Sequence, residues 1–114
     1  MNIDDLISSC KNVSHDPVVS RLTELLTLWK LDDRTVDQLR DHIERFIGNT
    51  WIQDRDEHNQ VYELWTEFRD ANIRGIGGMT MNERLYAFGL IERFDTCEDD
   101  DSRARIYKKL NSHP

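Results

Sequence analysis

The sequence predicts an all-α fold: a single domain over residues 1–114, built as an irregular bundle of five to seven helices. Three observations carry that expectation. Apolar residues recur at helical spacing along nearly the whole chain, with no sustained period-two alternation. Helix-start chemistry appears again and again ahead of those apolar runs. Only two prolines interrupt the pattern, and no repeat or low-complexity linker divides it.

The elements follow in order. A short first helix is expected over Ile3 to Lys11. Ser14-His15-Asp16-Pro17 then forms a start signal, because proline is tolerated at the first helical position and Asp16 can cap it. The next helix carries Val18, Leu22, Leu25, Leu26 and Trp29 on one face and further apolar residues around it, which makes it the central element. Thr35-x-x-Gln38 is a capping box that opens a third helix with Val36, Leu39, Ile43, Phe46 and Ile47 as its buried stripe. Gly48-Asn49 is expected to close it with a left-handed residue. Trp51-Ile52 is an apolar connector expected to enter the core, although Trp51 and Tyr62 are also the aromatics that would anchor an interface if exposed.

Asp54 caps the fourth helix, where Val61, Leu64, Trp65 and Phe68 share a face. Arg74-Gly75-Ile76-Gly77-Gly78 breaks the pattern. A second capping box, Thr80-x-x-Glu83, starts one helix through Met81, Leu85, Phe88, Ile91 and Phe94. The acidic run 98–101 ends that helix and supplies the cap of a last one through Ala104, Tyr107 and Leu110. Lys108 and Lys109 near its end suit the helix dipole.

Charge narrows the function. There are 22 acidic residues against 15 basic ones, a formal net of −7. An acidic domain repels phosphate backbones and anionic membranes and attracts basic protein surfaces. Arg103, Arg105, Lys108 and Lys109 form the only basic cluster, beside Glu98 to Asp101, so neither nucleic acid nor membrane is an expected partner. No apolar stretch approaches the ~20 residues that span a bilayer. Met1-Asn2-Ile3-Asp4-Asp5 lacks the basic and apolar regions of a secretory leader, so the cytoplasm is the expected address. In that compartment Cys10 and Cys97 are expected as free, partly buried thiols.

No catalytic constellation emerges. Gly75-x-Gly77 is followed by Thr80 where a dinucleotide loop needs glycine, and no GK[ST] follows, so a turn between helices is the expected role. Asp54, Glu57 and His58 share a helix turn, but a metal site needs three or four convergent ligands and neither HExxH nor a repeated Glu-x-x-His is present. The serines lie outside any G-x-S-x-G, and Cys10 with His15 lacks an orienting third group. The expectation is a non-catalytic binding protein with no metal or cofactor, monomeric when free.

The fourth helix says most about a partner. At about 100° per residue, Asp56, Glu63, Glu67 and Asp70 fall within about 60° of one another, opposite the apolar face. The stripe is read as having no cation to pair with at i,i+4, and like charges at Glu63 and Glu67 cost a few tenths of a kcal/mol. A charged helix face is ordinarily a solvated one, and the lack of pairing tilts this one toward a basic partner. Asp95, Glu98 and Asp99 form the second candidate contact region.

Gly77-Gly78-Met79-Thr80-Met81-Asn82-Glu83-Arg84-Leu85-Tyr86, with Gly89-Leu90 and Phe94-Asp95, resembles a C-terminal segment of small bacterial immunity proteins of polymorphic toxin and contact-dependent growth inhibition systems. The resemblance covers about a fifth of the chain. It implies a cytoplasmic antidote that binds a cognate toxin domain and blocks its active site or substrate path. It carries no catalytic residues with it. Many such toxins are nucleases with basic clefts, which a −7 helical domain suits. A small acidic adaptor or regulatory protein acting on a basic host protein is the alternative from a different class.

Overall fold

The computed structural model describes residues Met1–Pro114 as an all-α bundle of seven helices with no strand. These are α1 (Ile3–Val13), α2 (Pro17–Leu31), α3 (Val36–Asn49), α4 (Arg55–Phe68), α5 (Met81–Ala87), α6 (Ile91–Asp95) and α7 (Asp100–Lys109). A π-turn, Arg69–Ile73, extends α4, and a 3-10 turn, Ile76–Gly78, leads to α5. No helix is long and apolar enough to cross a membrane.

Local chemistry sets the helix starts. Asp16 accepts from the Val18 amide with Pro17 at the first position, and Asp54 accepts from Glu57. Thr35 with Gln38 and Thr80 with Glu83 close both reciprocal bonds of a capping box. Asn2 with Asp5 does the same for α1. Each cap satisfies amides that the helix itself leaves orphaned, worth about 1 kcal/mol.

A single apolar core holds these helices together. Leu22, Leu25, Leu26 and Trp29 of α2 sit at its centre, with Ile3 and Leu6 from α1, Leu39 and Ile43 from α3, and Val61 and Trp65 from α4. An aromatic chain runs across it: Trp29 and Phe68 each meet Phe88 at 5.6 Å between ring centres, and Trp65 follows Phe68 at 6.0 Å. Such edge-on and tilted pairs each add roughly 0.5–1.5 kcal/mol beyond burial. The bundle is elongated, 46 × 25 × 22 Å. Cys10 and Cys97 are free thiols; burial pushes Cys10 up to about 11.

Three details differ from the sequence reading. The helix expected from Met81 through Phe94 is two helices, because Gly89 adopts φ +65° and turns the chain between α5 and α6. A Cβ at Gly89 would sit 2.8 Å from Lys30 Cε and 3.0 Å from Ile3 Cγ2, so the residue serves both the turn and a close approach to α1 and α2. α3 does not end in a left-handed residue: Asn49 is still helical and Thr50 is extended. The left-handed closure belongs to Asn111 after α7, at φ 55°. Of the connector, Ile52 is buried as expected, but Trp51 is 66% exposed.

Candidate functional site

Most carboxylates of this protein pair with a cation or cap a helix, and the exceptions mark the candidate surface. The densest network closes the C-terminal end of α2. Lys109 is 0% exposed and lies 3.8 Å over the Trp29 ring. Its Nζ donates to the Trp29 carbonyl, to Asp32 O (2.8 Å) and Oδ1 (3.0 Å), and to Arg34 O (3.0 Å). Arg93 donates to the Lys30 and Asp32 carbonyls at 2.9 and 2.8 Å and to Asp33 Oδ1 at 3.0 Å. Two cations thus cap the orphan carbonyls and the negative dipole end of the central helix.

Burial pushes the Lys109 ammonium down to about 8 against the pull of Asp32. Asp32 resists burial through hydrogen bonds from Lys109 and Arg34, which hold its carboxyl below the usual range. Arg34 also contacts His42 Nδ1 at 2.8 Å, and burial together with the Arg34 charge lowers the His42 pKa. The sequence reading placed Lys109 only as a dipole-friendly end charge.

Other carboxylates pair or cap. Asp4 bridges to Lys30 (2.7 Å), Glu44 to Arg69 (2.8 Å), and Asp16 adds a bond from the Gln53 amide (3.1 Å) to its capping of α2. Asp70 belongs to this group. It holds Arg69 at 3.0 Å and Arg74, four residues on, at 3.4 Å. The expectation of an unpaired Asp70 is therefore corrected: the π-turn continues the helix into the segment read as a breaker, and Arg74 becomes an i,i+4 partner.

What remains are carboxylates with neither a cation nor a capping bond, and they fall in two places. On α4 they are Asp56, Glu57, Glu63 and Glu67; around α6 and the start of α7 they are Glu92, Asp95, Glu98 and Asp101. Asp56, Glu63 and Glu67 are exposed on the outer face of α4, away from Val61, Trp65 and Phe68. Asp99 is spoken for as the cap of α7, accepting from the Ser102 amide at 2.6 Å, and those bonds lower its pKa.

The predicted contact residues stand on different elements, α4 and the α6–α7 segment. The Asp56 end of α4 is tied to the first turn of α2 through Asp16 and Gln53, whereas α6 and α7 pack at its last turn. The two regions also differ in purity. Arg93, Arg103 and Arg105 interleave with the acids of 92–101, and Arg93 and Arg105 line an open polar cleft there with Cys97, Glu98 and Asp99. On α4 the only cation is Arg55, at its first position.

An aromatic pair lies on another side of α4, roughly 140–180° round the helix from Asp56, Glu63 and Glu67. The Trp51 indole stacks on His58 at 4.1 Å and 25°. Tyr62, one turn on from His58, is 47% exposed. His58 and Tyr62 border a shallow apolar dent with Phe46, Ile47 and Ile52, whose free volume of about 10 Å³ admits no more than a water molecule. The dent is too small to hold a small organic ligand. His58 is engaged with Trp51 and Asp54 with its helix cap, and no three His, Cys, Asp or Glu side chains converge as a metal site would require.

No protein-family model matches the chain, and no curated protein or solved structure is significantly similar to it.

Proposed function

We propose that this protein is a non-catalytic immunity protein that acts in the cytoplasm, as a monomer when free, and neutralises a basic toxin domain of nuclease type by covering its active site or substrate path. The observation that carries the reading is the segregation of charge. Structural carboxylates are paired or capping, while the unpartnered ones collect on the outer face of α4 and around α6. Like charges on one rigid helix face repel one another in the free protein, and a basic surface relieves that repulsion. Carboxylates on such a face can occupy the positions of substrate phosphates in a nuclease cleft. The net charge of −7 speeds encounter with such a partner. The resemblance of residues 77–95 to immunity proteins points the same way.

Co-expression with the product of the adjacent upstream gene tests this. A tight one-to-one complex that rescues growth is expected. A neighbour that is harmless alone and forms no complex refutes the antidote reading and moves the adaptor reading to first place.

A further inference from the structure

Three arginines that stand far apart in the sequence come together where α2 packs against α3. Arg21 lies on α2, Arg34 in the connection, and Arg45 on α3, one turn on from His42. Arg34 Nη1 donates to His42 Nδ1 at 2.8 Å. A guanidinium only donates, so Nδ1 accepts, the ring is neutral, and Nε2 carries the proton. Burial lowers the His42 pKa, and the charges of Arg34, Arg45 and Arg21 lower it further against the pull of Asp32. In a chain of net charge −7, the ring sits in a local island of positive potential.

The cluster is rich in donors and poor in acceptors. Glu24 takes one N–H of Arg21 at 3.1 Å, and Asp32 takes the Nε–H of Arg34 at 2.7 Å. Asp41, the neighbour of His42, is held by Arg40 at 3.2 Å. Arg45 is exposed and enters no ion pair. The rest of each fork and the His42 Nε2–H are left to solvent. Planar forks gathered round one imidazole suit an oxyanion whose several oxygens each accept more than one bond.

We propose that Arg21, Arg34, His42 and Arg45 form a binding site at the α2–α3 junction for a phosphate-class dianion, free phosphate or a small phosphate monoester. Arg45 brings an unengaged fork. Arg34, fixed between Asp32 and His42, is already oriented and loses little freedom on binding. The anion also relieves the mutual repulsion of the guanidiniums. The inference stands apart from the basic-partner reading, since it uses neither the α4 ridge nor the α6 region.

The test is an NMR titration of the full chain at constant ionic strength with inorganic phosphate, methyl phosphate and sulfate, and with chloride as control. Saturable shifts are expected at the His42 ring and the Arg45 Nε–H. In saturating sulfate, whose charge does not change with pH, the His42 midpoint should move up, because a bound anion favours the imidazolium. Arg45→Ala should weaken binding about tenfold and leave the melting temperature unchanged, since the side chain is exposed and unpaired. Arg105→Ala, which removes the same charge from α7, should bind as the parent does. Tighter binding of methyl phosphate than of inorganic phosphate assigns the site to an ester, and the reverse assigns it to the free ion. Shifts that never saturate, or that chloride reproduces, overturn the site. Equal losses in Arg45→Ala and Arg105→Ala, or no loss in Arg45→Ala, overturn it as well.

Discussion

The C-terminal end of α2 and the outer face of α4 are both rich in charge, yet they are opposite in kind. At α2, Lys109, Arg93, Asp32 and Arg34 are bound to one another and to backbone carbonyls, and Lys109 is wholly buried. On α4, Asp56, Glu63 and Glu67 touch no cation and stand in solvent. Charge inside a closed network fixes architecture, since removing one member strands the rest in a low dielectric. Charge without a partner leaves the fold indifferent and is free to be used by another molecule. The contrast makes stability and binding separable: variants at the first region should lower stability, and variants at the second should act chiefly on association.

The largest effect should come from Lys109→Met. The apolar replacement recovers desolvation, but it strips the Trp29, Asp32 and Arg34 carbonyls of a shared donor, and a loss of about 3 kcal/mol in urea unfolding is expected. A loss below about 1 kcal/mol would mean that the network does not hold the bundle. Next is Gly89→Ala, which forces a side chain into φ +65° and against Lys30 and Ile3; about 1–2 kcal/mol should be lost. Wild-type melting behaviour in that variant would show that the α5–α6 turn relaxes freely.

The pH dependence sharpens the same contrast. Folded Lys109 releases its proton near pH 8, whereas the unfolded chain keeps it to the ordinary lysine value of 10.5. The unfolded state therefore binds more protons in that window, and this group adds stability as pH rises from 8 to 10.5. His42 acts at the other end. Its lowered pKa favours the neutral ring, so its contribution is present above 6.5 and is lost as pH falls below it. Comparing denaturation curves of the parent with Lys109→Met and His42→Gln across pH isolates each; parallel curves would remove the assignment.

The smallest stability change is expected for Glu63→Lys with Glu67→Lys, within about 0.5 kcal/mol of the parent. The same pair should slow association with a basic partner at low salt. An unchanged association rate would take the ridge out of the interface.

The starts of α2, α3, α4, α5 and α7 were legible because capping is local: Asp16, Thr35, Asp54, Thr80 and Asp99 bond to amides two or three residues away. What the sequence hid is non-local or ambiguous in type. Lysine at a helix end satisfies the dipole rule wherever its side chain goes, and the carbonyls that bury Lys109 belong to residues 29–34. Glycine inside an apolar period reads as helix until φ is known, which concealed the turn at Gly89. Trp51 is apolar by type, and only the His58 stack explains its place outside the core. The Asp70–Arg74 pair lay in plain sight, but the helix was ended too early.

Lys109 also dates its own contact in the life of the chain. The bond to Asp32 O joins residues separated by 77 positions, and every helix from α3 to α6 lies between them. During synthesis Arg93 can reach the Lys30 and Asp32 carbonyls first, but the bonds from Lys109 must wait until the whole intervening chain has emerged. Loop-closure entropy makes such a long-range clasp a late event even in free refolding. Its loss should then speed unfolding and leave the folding rate nearly untouched. On that expectation the clasp from Lys109 sets the lifetime of the native molecule more than the speed with which it forms.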